Sequence, residues 1–182
     1  MNNQNETGSE ANETGGYELF IRIAIHADAR VISEILLEAF LPFQHLYTEK
    51  AFAATTVSPD EVRERMREGI VWVAIKNNRV VGTVAVKQKT RGLYIRGMAV
   101  LPEARGMKVG RRLLDHVEQY AMENKINRIF LSTTPYLIAA IHLYESFGFT
   151  QCSEVDDSFY GTPWFEMEKL MPCNESRICD ML

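Results

Sequence analysis

The stretch MAVLPEARGMKVGRRLLDHVEQYA, Met98 to Ala121, decides how the rest of the chain is read. It starts as the end of a β-rich run, turns at Val100-Leu101-Pro102 and passes through a basic, glycine-containing turn. Beyond the turn, Val109, Leu113, Val117, Tyr120 and Ala121 recur at helical spacing, which predicts a helix over about residues 109–123. Pro102 has no amide hydrogen, so strand pairing stops there. A helix start presents unpaired N–H groups and the positive end of the dipole, and a glycine ahead of it lets an anion come close. Arg105, Lys108, Arg111 and Arg112 add positive charge at the same place. A basic loop ahead of a solvated helix face would read the same way. Neither G-x-x-x-x-G-K-[ST] nor G-x-G-x-x-G is present, which excludes the standard mononucleotide and dinucleotide loops.

Upstream, IVWVAIKNNRVVGTVAVKQ reads as a hairpin, because Asn77-Asn78 tolerates the positive φ of a tight turn between β-branched strands. GLYIRGMAV, 92–100, supplies a further strand. Ser58, Pro59 and Glu61 form a capping box with a proline start, predicting a charged surface helix over 59–68. The aromatic stretch 41–57 reads as irregular. Before it, Val31, Ile32, Ile35, Leu36, Ala39 and Phe40 share a helical face with Asp28 as N-cap, and YELFIRIAI, 17–25, reads as a strand.

Downstream, NRIFLSTT, 127–134, is a strand. A helix starts at Pro135 and ends at Gly148. FTQCSEV and WFEMEKLM close the fold as two strands around a polar loop containing Asp156 and Asp157. The order β-α-α-β-β-β-α-β-α-β-β is mixed α/β with a central meander, not the regular alternation of a doubly wound fold. Residues 1–16 read as a disordered N-terminal tail, 17–171 as a single domain and 172–182 as a C-terminal tail.

The chain has 182 residues, a formal net charge of -4 and 46% hydrophobic content, which suits one domain with a sizeable core. No long basic stripe with interleaved aromatics points to nucleic acid. No apolar run approaches the roughly 20 residues of a membrane span. Cys152, Cys173 and Cys179 fit neither a disulfide framework nor a zinc site, and the histidines lack ligand spacing, so no metal is expected and a reducing cytoplasm is the simplest compartment.

A second segment, AAIHLYESFGF, puts Tyr144 near a helix end, before a Gly148-Phe149 boundary. Taken alone, Tyr144 is an ordinary core residue on an apolar helix face; a phenol is also a usable proton donor to a thiolate. Together the two segments resemble the GNAT superfamily, the GCN5-related N-acetyltransferases, over roughly residues 18–170. Arg105 and Gly110 match the ends of that family's R/Q-x-x-G-x-G/A loop, and Ala140, Tyr144, Gly148 and Phe149 match its A-x-x-x-Y-x-x-x-G-F segment.

The resemblance implies a largely antiparallel central sheet flanked by helices and transfer of acetyl from acetyl-CoA, as co-substrate, to a primary amine of a small molecule or protein. It assigns the cofactor's pyrophosphate to Arg105, Gly106, Met107, Lys108, Val109, Gly110 and Arg111. It assigns the pantetheine arm and thioester carbonyl to Met98, Ala99 and Val100, and proton donation to Tyr144. Acceptor contacts fall to Phe40, Phe43, Tyr47 and Phe52, with Tyr160 and Trp164 opposite, although satellite core packing is the better account of at least half of them. Asp156 and Asp157 offer charge to a cationic amine. Residues 79–100 contain no acid, so no general base is named, with Glu38 and Asp156 as distant candidates. Two positions depart from the pattern. Lys108 replaces a usual glycine and is strained if its φ is positive. Leu137 replaces an asparagine that often contacts pantetheine. Both departures, with the missing base, keep a second reading open: a catalytically weak acetyl-CoA-binding sensor or regulatory module. Dimers are common in the family, which leaves a homodimer open as the assembly state.

Overall fold

The computed structural model describes residues 19–172. In chain order the elements are β1 (Phe20–Ile23), α1 (Ala29–Phe40), α2 (Glu49–Thr55), α3 (Pro59–Glu68), β2 (Ile70–Lys76), β3 (Arg79–Lys89), β4 (Gly92–Val100), α4 (Val109–Glu123), β5 (Arg128–Thr133), α5 (Ile138–Ser146), β6 (Thr150–Gln151), β7 (Asp156–Phe159) and β8 (Thr162–Leu170). The strands run β1-β2-β3-β4-β5-β8-β6 with β7 against β8, and of the pairs only β4 with β5 is parallel. This is the mixed, largely antiparallel α/β architecture expected. The two segments read as tails lie outside the described residues apart from Pro172, as do Tyr17 and Glu18 of the first strand.

β2 and β3 are buried on both faces, so their sequences read as near-continuous apolar runs. The turn between them has Asn77 at φ 52° and Asn78 at φ 58°, the mirror-image turn whose twist matches the strands. α1 covers one face with Ile32, Ile35, Leu36 and Ala39. α4 covers the other. Trp72 of β2 meets His116 and Tyr120 edge-on at 5.2 and 5.4 Å, and Leu113, Leu114 and Val117 are fully buried. Burying each such side chain contributes about 1.5–3 kcal/mol.

Several boundaries differ from the sequence reading, each for a physical reason. α2 lies inside the stretch read as irregular, and Thr48 caps it by accepting from the Ala51 amide. α5 begins at Ile138 rather than Pro135, because Thr134–Leu137 is spent on a turn closed by the Leu137 amide on the Thr134 carbonyl. Asp28 stands before α1, but its carboxylate does not cap that helix. It accepts from the Ile25 amide and takes both terminal nitrogens of Arg22, and the Arg22 guanidinium holds it below the usual carboxylate range. The polar loop at Asp156 and Asp157 is an edge strand, β7. The capping box at Ser58 and Glu61 forms as read, in both directions.

The feature that positions everything else is in β4. Opposite Ala85 of β3 the register slips, so that Arg96 and Gly97 form a bulge, with Gly97 at φ 74°. A bulge bends its strand and raises the local twist. Pairing of β4 with β5 covers only Leu93 to Ile95 against Ile129 to Leu131. Beyond it the two strands part, and residues 96–100 of β4 have no strand partner on the side away from β3.

Candidate active site

The parting of β4 and β5 opens a cleft of about 1090 Å³. Met98, Ala99 and Val100 line it from β4, Ser132, Thr133 and Thr134 from the end of β5, and Tyr144 from α5. At its mouth lies the turn into α4, where Arg105, Gly106, Lys108, Val109, Gly110 and Arg111 all face the cleft. Met107 does not line it. Its side chain is exposed, and its sulfur accepts from the Lys76 ammonium.

The turn is built to leave its amides free. Gly106 has φ 77° and Lys108 φ 61°. The first helical bond of α4 runs from the Arg112 amide to the Lys108 carbonyl. The amides of Gly106, Lys108, Val109, Gly110 and Arg111 therefore find no backbone acceptor among the described residues. Clustered free amides beside left-handed residues at a helix start form an anion-binding concavity. Lys108 adopts the positive φ at which a lysine is strained, at a cost of about 1–2 kcal/mol. Gly110 has an ordinary φ, and its requirement is space. A Cβ there would lie 3.0 Å from a Leu143 methyl and 3.3 Å from the Met98 terminal methyl. The first turn of α4, β4 and α5 thus converge at Gly110.

Arg105 donates to the Ala39 carbonyl at 3.1 Å, tying the turn to the end of α1. The Arg111 guanidinium lies 5.0 Å over the Phe147 ring. Tyr144 is 7% exposed, its ring is 5.9 Å from Phe149, and its hydroxyl makes no hydrogen bond among the described residues. Burial, with a smaller push from Tyr94, takes its phenol up to about 12, so it stays protonated at neutral pH. The Thr133 hydroxyl, also lining the cleft, is buried without a partner among the described residues. Leu137, the apolar departure from the family pattern, lines the same cleft.

Of the aromatic residues singled out for the acceptor, Phe40, Phe43, Tyr47 and Trp164 line the cleft. Phe52 and Tyr160 do not. Phe52 packs edge-on against Tyr47, and Tyr160 is exposed beside Phe159. Glu38 and Asp157 are exposed and do not line the cleft. Asp156 is turned to the Trp164 indole and the Ser158 amide. Among the described residues the only lining acid is Glu166, which the sequence reading missed and which is paired with Arg91. Also missed is a basic half of the cleft, Arg65, Lys89, Arg91 and Arg96. Its signal was present in KQKTRGLYIR, 87–96, an acid-free segment read only for the base it lacks.

The chain is similar to several known proteins. The Danio rerio N-acetylaspartate synthetase is 35% identical over 88 residues, covering 47% of this chain and 31% of that protein. The chain spans about a third to a half of the length of the first curated relatives it matches. Among solved structures, the ribosomal-protein-S18-alanine N-acetyltransferase of Escherichia coli superposes with a TM-score of 0.71 at 17% identity, over 88% of this chain and all of that one. The PaiA N-acetyltransferase of Thermoplasma acidophilum, solved with coenzyme A, gives 0.70 at 18% identity, over 85% of this chain and 99% of that one. Residues 32–149 match the acetyltransferase (GNAT) family, and with the opened sheet and the free-amide turn in the same span, the chain belongs to that family.

Proposed function

We propose that the chain is an acetyl-CoA-dependent N-acetyltransferase acting on a primary amine of a small molecule or a protein. The observation that carries this reading is the convergence of the free amides of Gly106 and 108–111, the unpaired edge of β4 and the Tyr144 hydroxyl on one cleft. These residues suit the donor. The amides and Lys108 would hold its pyrophosphate, and residues 98–100 of β4 would pair with its peptide-like pantetheine arm. Acetyl-CoA supplies a thioester acetyl group whose C–S bond breaks as the acceptor nitrogen forms the C–N bond, one proton passing in net from nitrogen to sulfur.

The β4 amides on the open side would hold the thioester oxygen as charge develops on it. Tyr144 carries a proton at its hydroxyl and would donate it toward the departing sulfur. The acceptor must be neutral to attack, and a lysine-like amine of pKa about 10.4 is rarely so at pH 7. The lining cations outnumber the lining acid, which disfavours an ammonium among them and would lower the amine's pKa. One observation favours a second reading, an acetyl-CoA-binding sensor: the single lining acid, Glu166, is already engaged by Arg91.

Calorimetry with acetyl-CoA followed by thiol release across an amine panel tests both readings. Binding with turnover is expected. Binding without turnover on any amine leaves the sensor, and no binding sinks both.

Lys108→Gly separates strain from charge in the turn. Relief of the left-handed conformation, less the entropy of the added glycine, should raise unfolding free energy by roughly 0.5–1 kcal/mol. Loss of an exposed cation should weaken acetyl-CoA binding about two- to fivefold. Chemical denaturation and calorimetry on the same preparation check the pair, and tighter binding would show that the lysine only loosens the cradle.

A further inference from the structure

We propose that the acceptor carries a carboxylate beside its amine and that the Arg65 guanidinium binds it; the proposal rests on the acyl-transfer reading above. Arg65 is on α3, whose composition reads as a solvated surface, yet it shares a helix face with the buried Val62 and lines the cleft. One terminal nitrogen lies 2.6 Å from where a Cβ on Gly97 would be. The guanidinium thus rests against the bare backbone of the bulge, one residue before Met98, where β4 leaves β5.

The carboxylates around it are otherwise engaged: Glu61, one turn earlier on α3, accepts from the Ser58 amide and hydroxyl in the capping box. Glu166 pairs with Arg91. Glu68 takes both Lys87 and Arg96. Arg65 has no carboxylate within ion-pairing distance among the described residues, and its one hydrogen bond is a long contact of 3.4 Å to the Ala54 carbonyl. Burial and the neighbouring Arg96 push it down to about 10, so it remains a cation at neutral pH. A guanidinium offers five N–H donors in a planar fork that matches a carboxylate bidentately. A partly buried cation without a partner is costly, and the missing partner is the group this cleft is shaped to receive. Arg65 lies against Gly97, next to the β4 residues proposed to hold the thioester, so the carboxylate belongs near the reacting amine, as in an amino acid.

The test compares proteinogenic L-amino acids with their own carboxamides on the full chain saturated with acetyl-CoA, read by thiol release. At least one acid should exceed its amide in kcat/KM by about ten- to a hundredfold. The amide's amine is the less basic, which biases the comparison against the proposal. Arg65→Met should bring the ratio toward one mainly through KM, with acetyl-CoA affinity unchanged, and Arg65→Lys should keep part of it. If Arg65→Met does not fold, the acid–amide ratio in the unmutated chain decides alone. Calorimetry of the same ligands on the coenzyme A-saturated chain separates the two layers. Acid-selective binding without thiol release supports the carboxylate site and sinks the transfer reading. Thiol release with amides equal to or better than acids overturns the carboxylate site and leaves transfer standing. No acid-selective binding and no turnover overturns the proposal.

Discussion

Tyr144→Phe should lower turnover by roughly ten- to a thousandfold while changing acetyl-CoA affinity by less than about twofold. Only the hydroxyl is removed. The ring keeps its contact with Phe149 and its burial, and the hydroxyl makes no hydrogen bond among the described residues whose loss would unsettle the fold. A phenol raised to about 12 does not ionise in the assay range. An ordinary cysteine-like thiol has pKa about 8.5, so full transfer from Tyr144 to a thiolate is uphill by roughly 5 kcal/mol at the start. In the proposed reaction Tyr144 would therefore act first as a hydrogen-bond donor to the developing sulfur charge, and the transfer would complete as desolvation raises the thiolate's own pKa. The pH profile distinguishes this role from that of a base. Because the folded pKa is raised, the protonated form persists through neutral pH and is lost only near 12, so Tyr144 contributes no falling limb below about pH 11. The rising limb belongs to the amine, and Tyr144→Phe should leave it in place. A turnover change under about threefold removes Tyr144 from the chemistry, and a displaced rising limb would recast it as a base.

What was legible in the sequence is what local physics dictates. Asn77-Asn78 between β-branched runs, Ser58 with Glu61, and the apolar stripe of α4 each carry their own turn, cap or period, and each forms where read. The misses are cases where a tertiary partner won. Asp28 prefers a bidentate Arg22 to the cap of α1. β7 is polar because it lies at an edge against β8, so its residues do not alternate toward a core. Thr48 does announce α2, but the aromatic stretch around it, 41–57, reads as irregular. The site divides the same way. The free-amide turn ahead of α4 was readable from glycine, charge and helix start. The bulge at Arg96-Gly97 and the Arg65 side chain that fills the space left by Gly97 depend on which strands part, and that choice is made across the sheet.

Gly110→Val carries the second large effect, and it tests the cradle without touching a charge or a reacting group. The position has an ordinary φ, so valine meets no backbone penalty of the kind Lys108 bears. What it meets is the Leu143 methyl at 3.0 Å and the Met98 terminal methyl at 3.3 Å from its Cβ, with the γ-carbons still to be placed. Overpacking of this kind costs about 1–3 kcal/mol of stability. The relief available is a shift of the first turn of α4 away from β4 and α5, and that turn carries the free amides of Val109, Gly110 and Arg111. If they hold the pyrophosphate as proposed, moving them by even a few tenths of an ångström would degrade several charge-assisted hydrogen bonds at once, so acetyl-CoA affinity should fall roughly a hundredfold. Gly106→Ala is the matched control, because a Cβ there meets nothing within 4 Å and only its φ of 77° is strained. It should lose stability by about 1–2 kcal/mol with a smaller loss of affinity. Calorimetry and urea denaturation on both variants separate the outcomes. If Gly110→Val binds acetyl-CoA as tightly as the unmutated chain, the amides of the first turn do not hold the donor and the pyrophosphate lies elsewhere in the cleft.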